Sequence, residues 1–144
     1  MNISNKRISK KKQEEFNKII TIFNNNNIYF DIILVRNLYS SDFFIYFVNY
    51  TEDIINKLIE NNKKIILHID TGLLCVSDLY NYDNILIFVK MLHKYTNFIS
   101  NIVLYNSSII FEKLSNLISI SLNSDISTKF IFDKTQIFDK INNS

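Results

Sequence analysis

Lys64–Asp78 reads KIILHIDTGLLCVSD, and its opening run from Lys64 to Ile69 decides the class of fold. A run this compact and this apolar is expected of a strand covered on both faces, as strands in the middle of a parallel sheet are. Asn101–Tyr105, NIVLY, has the same character, and Lys129–Phe132 ends the series. Between the first two lies a helix-length segment from Ser77 to about Phe98, whose run Ile85–Leu92 is too apolar for a surface helix and is expected to be largely buried. Between the last two, Ser107 or Ser108 can cap a helix whose stripe is Ile110, Leu114, Leu117 and Ile118. Strands alternating with helix-length segments imply right-handed βαβ crossovers and a mostly parallel sheet.

Toward the N-terminus, Thr51 can cap a helix with Glu52 and Asp53 in its first turn and Ile54, Ile55, Leu58 and Ile59 on its apolar face. Ile28–Val35 and Phe43–Val48 are rich in β-branched and aromatic residues, and Ser40-Ser41-Asp42 between them is a turn signal, which predicts a hairpin. Glu14–Phe23 carries Phe16, Ile19, Ile20 and Phe23 at helical spacing, with Asn24–Asn27 as the stop. Gln136–Ile141 is expected as a short terminal helix. The expected fold is α/β: a mixed, mostly parallel sheet of about five strands flanked by helices, in the order α-ββ-α-β-α-β-α-β-α. Residues 1–12 are expected to be a basic flexible arm and residues 13–144 a single domain.

Composition narrows the function classes. Of 144 residues, 47% are hydrophobic and 21% charged, which is the composition of a globular chain. Ile, Asn, Lys, Phe and Tyr are abundant, Ala and Pro are absent and Gly occurs once, the signature of AT-rich codons. That bias suggests the genome of a large DNA virus or a protist, and it makes the Asn runs at 24–27 and 61–62 expected loops. A net charge of +2 is too small to imply a nucleic-acid partner for the domain. Cys75 is the one cysteine, so no intramolecular disulfide and no cysteine metal framework can form, as suits a reducing compartment. The start lacks an apolar signal segment, and no apolar stretch reaches the ~20 residues that span a bilayer. A soluble, cytoplasmic protein is expected, in the host cytoplasm or virion if viral.

No catalytic constellation stands out. One Gly cannot build the Gly-rich phosphate loops of Walker or Rossmann sites. His68 and His93 have no paired spacing, and although His68 shares a strand face with Asp70, a hydrogen-bonded histidine is the expectation, not a metal ligand. Cys75 lies in a loop after a strand with no base assigned to it. Asp70 and Asp78 are expected to cap the loop or helix at the C-terminal sheet edge, and Asn106 to tie a turn. Lys6-Arg7 and Lys10–Lys12 could attract an anionic membrane surface, at most peripherally, or nucleic acid, or serve as a localisation signal, but with Glu14 and Glu15 to balance them a solvated tail is the expectation.

Lys64–Phe132 resembles the CRAL-TRIO (Sec14-like) lipid-binding domain. The residues that carry the resemblance are Asp70, Gly72, Tyr95, Asn106, Phe111 and Lys129, in the family's order and at comparable spacings. Thr96 and Ser107-Ser108 stand where that family usually has proline. One short helix precedes Lys64, where the family has a longer, lipid-enclosing insertion. The resemblance implies a non-enzymatic domain without a cofactor or metal, with Ile110, Phe111, Leu114, Leu117 and Ile118 contacting a lipid or apolar small molecule. The element order is also similar to STAS domains, in which Ser77 lies near the place of the modified serine or threonine. That similarity implies a module with a filled core acting through a protein partner or a second copy, in protein interaction or viral assembly.

Overall fold

The computed structural model describes residues 9–39, 41–61, 64–122, 129–133 and 141. The strand expected from Lys64 is β3 (Ile65–Asp70), the middle of a five-stranded mixed sheet. The other elements are α1 (Lys10–Ile19), β1 (Ile20–Phe23), β2 (Asn27–Phe30), α2 (Ile32–Arg36), α3 (Phe44–Glu60), α4 (Val76–Tyr80), α5 (Tyr82–His93), β4 (Ile99–Tyr105), α6 (Ile109–Leu122) and β5 (Phe130–Asp133). The strands lie in chain order, β1-β2-β3-β4-β5; β1 runs antiparallel to β2, and every later pair is parallel. The fold class is the α/β class expected.

Right-handed crossovers that always step the same way along a sheet put every helix on the same face. The packing shows this. Ile28 and Phe30 of β2, Ile65 and Leu67 of β3, and Ile102 and Leu104 of β4 share one core with Phe16 of α1, Phe47 and Ile55 of α3, and Leu92 of α5. The alternate residues face away and form a second, smaller cluster of Tyr29, Val103 and Tyr105, against which Ile141 packs. His68 lies on that second face, 2.6 Å from the Tyr105 hydroxyl through Nδ1 and 2.7 Å from Asn27 Oδ1 through Nε2. Asp70 shares this face but makes its bonds elsewhere.

The N-terminal third differs from the expectation. The hairpin is β1–β2, not Ile28–Val35 with Phe43–Val48, and its turn is the Asn run. Asn24 and Asn25 adopt φ of 50° and 69°, the left-handed pair that a twisted hairpin turn needs and that Asn tolerates well. Helix α1 therefore ends at Ile19, and Ile20–Phe23 pairs as a strand. At its other end Ser9 caps α1 by accepting from Lys12 N at 3.2 Å, so Lys10–Lys12 are helical rather than part of an arm. Ile28–Val35 splits because Asp31 caps α2, its Oδ1 accepting from Leu34 N at 3.2 Å. Phe43–Val48 is not a strand: Phe44, Phe47, Val48, Thr51 and Ile55 form one buried helical stripe. Thr51 sits inside α3 rather than at its start, its hydroxyl donating to the Phe47 carbonyl at 3.0 Å. Of the expected terminal helix at 136–141, only Ile141 is among the described residues.

Helix α3 is tied to the α5–β4 connection by Glu52, which accepts from Lys94 Nζ and the Tyr95 hydroxyl, each at 2.6 Å. Burial alone would raise the Glu52 pKa, but the two donors outweigh it and hold the carboxylate below its ordinary value. A carboxylate held low in the folded state contributes stability above its unfolded pKa, and that stability is lost as pH falls through the folded value. Urea titrations at pH 7 and pH 3 should therefore show Glu52→Gln destabilised relative to the native chain at pH 7. The two should converge at pH 3; an equal gap at both values contradicts the tie.

Candidate functional site

Helices on one face must span the sheet with few side chains to spare, and here they leave a gap. A cavity of about 140 Å³ lies between the sheet and the helices, toward the C-terminal strand ends, and is partly open to solvent. Phe30, Ile69 and Leu104 form its floor, Phe88 and Leu92 of α5 one wall, and Phe111, Leu114 and Ile118 of α6 another. Ile85–Leu92 is consequently not largely buried: Ile85, Phe88 and Val89 line the cavity and are half-exposed, and only Met91 and Leu92 are fully enclosed. His93 is exposed at the end of α5.

The five residues expected to contact a ligand divide. Phe111, Leu114 and Ile118 line the cavity, whereas Ile110 and Leu117 do not. Leu117 is 43% exposed, and its carbonyl accepts from the Tyr82 hydroxyl at 3.0 Å, which fixes α6 against the start of α5. Ser108 supplies the expected cap, its Oγ accepting from Phe111 N at 3.3 Å. The Phe111 ring then meets Phe130 and Phe132, with centroids 6.0 and 6.2 Å away.

Around the mouth the polar residues hold the turns in place. Asp70 Oδ1 accepts from Gly72 N at 3.0 Å and from Asn106 Nδ2 at 3.4 Å. A Cβ on Gly72 would lie 2.9 Å from the Asn106 Cβ, so this close approach admits only glycine without a shift. Asn106 itself has φ of 53°. Asp78 caps as expected, its Oδ2 accepting from Cys75 N at 2.7 Å. It does more, because Arg36 also grips it with two bonds, Nε to Oδ1 at 3.1 Å and Nη2 to Oδ2 at 2.9 Å. The same Nη2 donates to the Leu73 carbonyl at 2.6 Å. Hydrogen bonding to Asp78 raises the Arg36 pKa further still. No spacing signal links residues 42 positions apart, so this pair was not legible beforehand. Ser77 is exposed, with its Oγ 2.8 Å from Cys75 Sγ.

Among the described residues no three His, Cys, Asp or Glu side chains lie close enough to hold a metal ion, and no helix is long and apolar enough to cross a membrane. No family model, no curated protein and no solved structure matches the chain.

Asp78 is fully buried, so removing its partner strands a charge away from water. Arg36→Met should cost about 3 kcal/mol or more in urea unfolding; a loss within about 0.5 kcal/mol, as for an exposed pair, contradicts this picture of the pair.

Proposed function

We propose that the chain is a binding domain, not an enzyme, and that it holds an apolar ligand between its sheet and α6, as a compact CRAL-TRIO-like domain would. The observation that carries this is the cavity of about 140 Å³ lined by side chains of the sheet, α5 and α6. An apolar cavity of about 150 Å³ stays dry and takes up benzene. In this state the space therefore suits a ring or a short stretch of acyl chain. A ligand with two long chains needs α6 to move outward, and α6 is the element whose stripe the resemblance assigns to lipid contact. The lone cysteine, Cys75, agrees with a reducing, cytoplasmic setting.

A second reading, a protein-interaction module, draws support from the exposed apolar side chains Tyr80 (85%), Ile109 (72%) and Phe132 (63%). A cavity weighs against the filled-core form of that module.

Ethylbenzene, a probe of the right size, should raise the melting temperature of the native chain in a saturable way; a ligand at 100 times its Kd adds about 2.7 kcal/mol. Leu114→Trp, which fills the cavity from α6, should fold and lose the shift. Native mass spectrometry of cell-expressed protein should show a co-purifying apolar mass. A native chain indifferent to ethylbenzene and clean of ligand after exposure to mixed lipids would sink the proposal, and a dimer on sizing would then favour the interaction module.

A further inference from the structure

The cavity has no polar anchor to offer a ligand. Thr71 and Tyr39 are the lining residues whose side chains carry a polar atom, yet the wall presents almost no polar surface. The Thr71 hydroxyl donates to the Tyr105 carbonyl at 2.8 Å. Among the described residues, every buried side-chain nitrogen and oxygen has a hydrogen-bond partner. The strands of the floor spend their backbone groups on one another, β3 with β4 and β4 with β5. No charged side chain is among those that line the space. Arg36 and Asp78 are not lining residues, and Arg36 is committed to both Asp78 oxygens and to the Leu73 carbonyl.

Sites that orient small molecules do so with a few placed polar groups among apolar walls. Without such groups, a polar atom carried inside loses its water and gains no partner. For one hydroxyl that loss corresponds to roughly 5- to 150-fold in affinity. The part of a ligand that enters is therefore hydrocarbon alone. Its size is bounded as well. A cavity of about 150 Å³ takes one benzene ring, so the space of about 140 Å³ holds roughly six carbons. That space is also partly open to solvent, which lets a polar head remain in water while the tail is enclosed.

We propose that the ligand is an amphiphile that enters tail-first, burying a hydrocarbon end of roughly six carbons with no polar atom in it, while its head stays outside the cavity. This rests on the binding function proposed above and names the class of ligand. Ethylbenzene, n-hexanol and 1,6-hexanediol, each titrated by chemical-shift changes into the native chain and Leu114→Trp, separate the two claims. Whichever end of the diol enters, it carries a hydroxyl into the cavity. The native chain should bind n-hexanol roughly 5- to 150-fold more tightly than the diol, and Leu114→Trp should bind neither n-hexanol nor ethylbenzene. From n-butanol to n-hexanol each added methylene should tighten binding about fourfold. Beyond n-octanol the gain should level off, because the added carbons lie outside. A diol that binds within about fivefold of n-hexanol overturns the assignment, and so does an affinity that climbs evenly to n-decanol. It is overturned too if n-hexanol fails to bind the native chain, or binds Leu114→Trp equally well. In each of these cases saturable ethylbenzene binding leaves the cavity standing. If neither ethylbenzene nor n-hexanol binds the native chain, both proposals fall together.

Discussion

The sheet fills in the order in which the chain makes its strands, and the rest of the molecule depends on that constraint. Each parallel crossover steps to the next position, and among the described residues α1, α2, α3, α5 and α6 pack on one face, as crossovers of one hand require. A doubly wound sheet reverses direction once and opens a crevice at the reversal, where ligands usually bind. This sheet never reverses. Any enclosed space must lie between the sheet and its single helical layer, and that is where the cavity is. The other face is left to Tyr29, Val103, Tyr105 and the hydrogen-bonded His68, with Ile141 packed over them.

Leaving space in a core has a measurable cost. At about 24 cal/mol for each Å³, a cavity of about 140 Å³ forgoes about 3 kcal/mol, a large share of the 5–15 kcal/mol by which domains are stable. The lining is not short of bulk, since Phe30, Phe88, Phe111 and Phe130 all border it. Specific ties fix the elements that surround it. Tyr82 pins α6 at the Leu117 carbonyl, and Arg36 pins the turn after β3 to α2 through Asp78 and Leu73. None of Tyr82, Leu117, Arg36 and Asp78 lines the cavity.

The C-terminal half was legible in the sequence because β3 and β4, its two central strands, are mostly buried on both faces. Ile65–Ile69 and Ile102–Tyr105 are apolar without alternation, and Ser108 announces α6 by its cap. The N-terminal third was not. Phe16, Ile19, Ile20 and Phe23 satisfy a helical stripe, and only pairing with β2 turns Ile20–Phe23 into a strand. Short apolar runs are ambiguous in this way. The aromatics of Phe43–Val48 favour strands by propensity, yet the stripe through Thr51 and Ile55 prevails. As for the site, Phe111, Leu114 and Ile118 were visible as one face of a helix. Tyr39 and the Arg36–Asp78 pair were not, since contacts between residues so distant in the chain leave no local pattern. A cavity leaves none either, because it is defined by the side chains that fail to meet.

The central claim is that the single helical layer leaves an accessible apolar space against the sheet. Crystals of the protein pressurised with xenon test it directly. Xenon density should appear between Phe30, Phe88 and Leu114, at an occupancy that rises with pressure. Side-chain density closing that space, with no xenon at any pressure, would contradict the account.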